Sequence, residues 1–157
     1  MSADVHDHLD NLRRRFNDRQ CECVLSGDLV STFAVPPLRQ LGCPFYGCRR
    51  QRESTGLLAG MRIIGELRDA AAVRTARHDP CGAVHMERQF RGFDQPFDIG
   101  ICGHTHKPSI WHDEHGHLWI NPGETSGWTF GNPTVALLDT VSRTAEIVPL
   151  VGSRGEG

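Results

Sequence analysis

The apolar run Phe97-Asp98-Ile99-Gly100-Ile101-Cys102 leads without a break into Gly103-His104-Thr105-His106-Lys107-Pro108. Its branched residues and short length read as a buried strand, and the glycine and proline around the histidines end it. Two imidazoles one residue apart, on the loop leaving a buried strand, are donors suited to a metal ion, and the glycine lets the backbone approach closely. By itself, His-x-His is too short to separate a metal site from an ordinary loop. A second stretch, Ile120-Asn121-Pro122-Gly123-Glu124, has the same form: an apolar strand ending in polar and turn residues.

The chain around this strand predicts an α/β domain. Asp7 caps a helix carrying Leu9, Leu12 and Phe16, with Arg13, Arg14 and Arg15 on its solvated face. Cys21-Glu22-Cys23-Val24-Leu25 reads as a strand ending in Ser26-Gly27-Asp28, and Pro36-Pro37 opens a short helix. Cys43-Pro44-Phe45-Tyr46 is a further strand, closed by Gly47-Cys48-Arg49-Arg50. Met61-Arg62-Ile63-Ile64 and Ala71–Ala76 read as strands, the second ending at Arg77-His78-Asp79-Pro80, and a helix is predicted from Ala83 to Phe90. Beyond His106 the helical period disappears, and four strands follow, around Ser109–Trp111, His117–Ile120, Thr134–Leu138 and Glu146–Leu150. Strands alternating with helices and then strands alone indicate an α/β domain finished by antiparallel structure. Asp28, His78 and the His104/His106 pair all follow a predicted strand, and loops at the carboxyl ends of strands gather where ligands bind.

Bulk properties exclude several classes. The 157 residues suit one domain, 1–157, with a hydrophobic core, and the net charge of −2 gives no specific nucleic-acid signal. No apolar run approaches the roughly 18–20 residues of a membrane span, and the polar N-terminus is no signal peptide, so a cytoplasmic location is expected. In such a compartment the six cysteines are core residues or ligands rather than disulfides. A zinc site built from Cys21, Cys23, Cys43 and Cys48 has irregular spacing. His112, His115 and His117 flank the turn-like Asp113-Glu114-His115-Gly116 and predict a surface hairpin, while Trp111, Trp119 and Trp128 are expected to pack in the core or on a sheet, with Trp128 also placed to border the cleft.

Asp4-x-His6, Gly27-Asp28, a strand-terminal His78 and Gly103-His104-x-His106, in that order, resemble the calcineurin-like metallophosphoesterases. The stretch 120–124 and the strand from Thr134 to Asp139 are similar to their small single-domain prokaryotic phosphodiesterase branch. The resemblance implies an α/β/β/α sandwich that hydrolyses a small-molecule phosphodiester or phosphomonoester with a binuclear metal centre. It implies one metal ion on Asp4, His6 and His106, a second on His78 and His104, and Asp28 between them. Such donors suit Mn, Zn, Fe or Ni. Two ions about 3.5–4 Å apart share a hydroxide that attacks phosphorus, so no side-chain nucleophile is needed. By fold-level analogy alone, an exposed edge or apolar patch on the strand-rich C-terminal half would support a homodimer.

Three stretches depart from the family pattern. Cys48 and Arg50 stand where the family has the asparagine and aspartate of Gly-Asn-x-Asp. Cys48 is then a substitute ligand or a lost one, and Arg49 a contact for substrate phosphate. His78 is followed by Asp79-Pro80 rather than glycine, and His85 competes for its role. Only Met1-Ser2-Ala3 precedes Asp4, where the family has an apolar strand of about six residues, so the N-terminal strand is expected to be truncated. These departures leave a second reading: a catalytically weak phosphoesterase-fold binding or scaffold protein. A metallo-β-lactamase-like reading of His6-x-His8-x-Asp10 is opposed by Asn11 and by the helical period there. Asp94 or Asp98 is expected to orient a ligand imidazole.

Overall fold

Residues 81–84, Cys-Gly-Ala-Val, are buried on both faces and lie between two neighbouring strands, which determines much of the architecture. The computed structural model describes residues 24–26, 36, 45–48, 66–68, 70–74 and 80–150. A three-stranded parallel sheet has the order β1 (Val24–Ser26), β2 (Phe45–Cys48), β3 (Glu66–Arg68). A five-stranded sheet is formed by β4 (Ala70–Arg74), β5 (Pro80–Val84), β6 (Ile99–Ile101), β7 (Ser109–His112) and β8 (Leu118–Asn121), in the order β4-β5-β6-β8-β7. Its central strands β5, β6 and β8 are parallel, and both edge strands, β4 and β7, run antiparallel to their neighbours. The hairpin of β9 (Thr134–Asp139) and β10 (Thr144–Pro149) completes the chain order. The fold class is α/β, as expected from the sequence, with a 3-10 helix at Glu87–Gly92 among the described residues.

One sequence expectation is corrected here. The helix predicted from Ala83 to Phe90 is instead the end of β5 followed, after Met86, by the 3-10 helix. Pairing decides this: Ala83 faces Ala71 of β4 on one side and Ile101 of β6 on the other, so its backbone groups are satisfied across the sheet. The Met86 N–H donates to the Gln89 side-chain oxygen at 2.6 Å, which closes the start of the short helix. The reading of Met61–Ile64 as a strand and the helix expected near Leu9 lie outside the described residues.

Alternation sorts the five-stranded sheet into two chemically different faces. One carries Cys81, Ala83, Ile99, Ile101, Leu118 and Ile120, and it is covered by Ala136, Leu138, Ala145 and Ile147 of the β9–β10 hairpin. Cys48 of β2 belongs to the same cluster. The other face aligns Gly82, Gly100 and Trp119 across three strands. A Cβ on Gly100 would lie 2.7 Å from the Trp119 ring, and one on Gly82 would lie 2.8 Å from Phe90, so these glycines make room for an aromatic layer. Phe90, Phe97 and Trp111 pack around Trp119, with Trp111 stacked on it at 5.6 Å and 10°.

Because β5, β6 and β8 are parallel, their carboxyl ends lie at one edge of the sheet, and His85, Gly103 and Asn121 stand there. β4 ends at the opposite edge, where Arg74 pairs with Pro80 at the start of β5. Among the described residues no helix is long and apolar enough to cross a membrane.

Candidate metal centre

The loop leaving β6 is strained and heavily tethered. His104 and His106 have φ of 70° and 61°, a left-handed region that costs a non-glycine residue roughly 1–2 kcal/mol. Such strain persists only where the surroundings hold it, and it clusters at functional sites. Gly103 N–H donates to the His85 carbonyl at 3.0 Å, and Thr105 N–H to the Gly103 carbonyl at 2.8 Å. Asn121, 3% exposed, acts as a staple: its amide donates to Thr105 Oγ1 at 2.9 Å and to the Gly103 carbonyl at 3.3 Å. Its own carbonyl oxygen accepts from Gly123 N–H at 3.0 Å, so the exits of β6 and β8 are held together. Gly123 needs to be glycine: its φ is 79°, and a Cβ there would collide with Thr134 Oγ1, whose hydroxyl donates to the Pro122 carbonyl at 2.7 Å.

Glu124 is fully buried, and it turns this scaffold towards His106. One carboxylate oxygen accepts from His106 Nδ1 at 3.0 Å and from Thr129 N–H at 2.8 Å; the other accepts from Phe130 N–H at 2.6 Å. Burial alone would push its carboxyl up, but the bonds from Phe130, His106 and Thr129 outweigh it and hold the group below the usual carboxylate range. A carboxylate accepts only, so Nδ1 of His106 is the protonated nitrogen and the ring's donor lone pair lies on Nε2.

His85 is the described histidine that neighbours this loop. It follows β5 directly, is 2% exposed, and its ring meets that of His104 edge to face at 5.1 Å. Zn–N bonds of roughly 2.0–2.1 Å put an imidazole centroid about 3.2 Å from the ion, so two rings at tetrahedral angles lie about 5 Å apart. The His85–His104 separation fits that spacing. Among the described residues no group of three or more His, Cys, Asp or Glu forms a complete metal cage.

Of the predicted site residues, Cys48, His104 and His106 are described; Asp4, His6, Asp28, Arg49, Arg50 and His78 lie outside the described residues. Cys48 is 5% exposed within the apolar cluster, and Cys21, Cys23 and Cys43 of the weighed zinc site are outside. Asp98 is not the orienting carboxylate: it sits before β6, at the far edge from His104, and meets Arg143 at 3.4 Å. Sequence reasoning missed the role of Glu124. Its one signal was an acidic residue placed directly after a strand exit in Asn121-Pro122-Gly123-Glu124. The 113–117 segment is the predicted surface hairpin turn, joining β7 and β8. Trp111 and Trp119 pack on the sheet as expected, whereas Trp128 stands 67% exposed in the loop that carries Thr129 to His106.

The sequence matches the profile of the calcineurin-like phosphoesterase superfamily domain over residues 1–143. A phosphodiesterase of Methanocaldococcus jannaschii is 31% identical over 154 aligned positions, covering 88% of this chain and 90% of the relative. Among solved structures, that of an archaeal phosphodiesterase superposes with a TM-score of 0.83 at 27% identity, covering 95% of this chain and 97% of that one. Vacuolar protein sorting 29 of Cryptosporidium parvum shares the fold, with a TM-score of 0.69 at 18% identity over 94% of this chain and 93% of its own.

Proposed function

Because this chain belongs to the calcineurin-like phosphoesterase superfamily, we propose that it is a metal-dependent hydrolase of a phosphodiester or phosphomonoester. In this reading two divalent cations are held by Asp4, His6, Asp28, His85, His104 and His106. His85 takes the role that the sequence had suggested for His78. The observation that carries the reading is the β6 exit, where His104 meets the strand-terminal His85 at 5.1 Å and His106 is oriented by buried Glu124. When bound, the cations supply Lewis-acid activation of water and neutralise charge on phosphate. The chain's own contribution is preorganisation. Glu124 keeps the proton of His106 on Nδ1, Asn121 fixes the loop against β8, and Arg49 is proposed to meet a substrate phosphate oxygen.

The apolar surroundings of Cys48 favour a packing role for its thiol. We therefore read the second cation as held by one donor fewer than in a family member with asparagine there, and the activity as reduced. The scaffold reading has no specific observation in its favour, since the likeness to vacuolar protein sorting 29 concerns the fold alone.

The test is hydrolysis of bis-p-nitrophenyl phosphate after loading with Mn, Zn, Fe or Ni in turn. Turnover with at least one metal is expected. His85→Ala should lower it by at least a hundredfold and His78→Ala by less than threefold, while Cys48→Asn with Arg50→Asp should raise it. No turnover with any metal sinks the enzyme reading, and the reverse order of the two histidine variants returns the ligand role to His78.

A further inference from the structure

Beside His104 the outer face of the five-stranded sheet opens into a cavity of about 280 Å³. Its floor is Cys102 and Asn121, one wall is Trp111, and the opposite wall is the Met86–Arg88 segment that follows His85. His104 and Thr105 form the end nearest the candidate metal centre. On the proposed phosphoesterase reading, we infer that this cavity receives one aromatic ester group of the substrate, with Trp111 as its stacking wall and specificity determinant.

Three observations converge on an aromatic ring. The first is size. Small-molecule sites run to roughly 300–1,000 Å³, so this cavity, just below that range, suits a single ring with its immediate linkage rather than an oligomer. The second is charge. The charged side chains on the lining, apart from histidine, are exposed Glu87 and exposed Arg88, which offset each other, so the cavity does not call for a second phosphate. The third is rigidity. Trp111 is stacked on Trp119, itself only 7% exposed, and the Trp119 indole N–H is tied to the Asp113 carboxylate at 2.9 Å. A wall already held in place loses little side-chain entropy when a ring binds against it. A planar aromatic group gains from such a surface what an alkyl group does not.

The position relative to the chemistry is consistent with this role. Cavity and candidate centre share His104, so an ester whose phosphate sits at the histidines extends its substituent towards Trp111. Nothing in the cavity other than His104 belongs to the proposed metal ligands, so Trp111 acts on substrate choice and not on metal loading.

The experiment has two arms. In the first, the metal-loaded protein hydrolyses bis-p-nitrophenyl phosphate. Trp111→Ala should raise KM on the order of tenfold, the scale of one lost stacking contact, with kcat changed less than threefold. Trp111→Phe should restore most of that loss. Inhibition by inorganic phosphate, which lacks a ring, should be unchanged in both variants. In the second arm, metal-free protein is titrated with phenyl phosphate while the indole N–H resonances are followed by NMR. The resonance that disappears in Trp111→Ala should shift with phenyl phosphate and not with methyl phosphate. An unchanged KM in Trp111→Ala, or KM and phosphate inhibition weakening together, overturns the assignment, and so does an unmoved Trp111 resonance. If the wild-type protein hydrolyses nothing with any metal, the phosphoesterase reading fails, and the phenyl phosphate titration decides the cavity independently.

Discussion

At the scale of single residues, Glu124 joins stability to the candidate site. A carboxylate can serve three donors at once, and here it serves His106 Nδ1–H, Thr129 N–H and Phe130 N–H from a fully buried position. Glu124→Gln retains the shape but replaces one acceptor oxygen by a donor that faces N–H groups, at a cost of about 1–3 kcal/mol for the donor left unsatisfied. The imidazole also loses the partner that fixes its tautomer. Metal affinity measured by calorimetry should fall roughly 10–100-fold, as for other carboxylates behind ligating histidines. An affinity unchanged within twofold would show that His106 is oriented without Glu124. The depressed carboxyl also has a pH consequence. A group whose folded pKa is lowered contributes stability above its unfolded value, near 4.5, and that contribution disappears as pH falls below it.

At the scale of elements, the β7–β8 hairpin depends on Asp113. Its carboxylate accepts from the backbone N–H groups of His115 and His117, both at 2.9 Å, from His117 Nδ1 at 2.8 Å and from the Trp119 indole at 2.9 Å. Desolvation would raise this carboxyl, yet the bonds from Trp119 and His117 prevail and hold it well below the usual range. The sign is therefore that of a depressed acid: its stabilisation is complete above the unfolded value near 3.8 and is lost as pH falls through the range beneath it. Asp113→Ala should lower the melting temperature at neutral pH, and the gap from wild type should close on acidification below that value. A gap that persists in acid would mean that the turn is held by something other than the ionised carboxylate. Asp113 also pins Trp119, on which Trp111 is stacked, so the same substitution should loosen the wall of the cavity.

At the scale of the molecule, a ligand that binds only the folded state raises its stability, by roughly 2.7 kcal/mol at a hundred times Kd. Saturating Mn, Zn, Fe or Ni should therefore raise the melting temperature, and a chelator should return it; no response to any of the four would remove the metal centre. What could be read from the sequence alone was local. The β6 run ending in Gly103-His104-Thr105-His106, the hairpin around Asp113 to Gly116 and the closing pair of strands are all signalled by period and turn residues within about ten positions. So is the order of motifs that carries the family resemblance. Three matters were decided only by the tertiary structure. Residues 80–84 become a strand because β4 and β6 complete their hydrogen bonds on both sides, and no local propensity shows those partners. His85 lies beside His104 because β5 runs parallel to β6, whereas β4 runs antiparallel and ends at the opposite edge; strand direction is a property of the sheet. Glu124 acquires its role from a ring 18 positions away in the chain. Hydrogen bonds across a sheet and burial against remote residues depend on where the chain returns, so they lie beyond what periodicity along it can express.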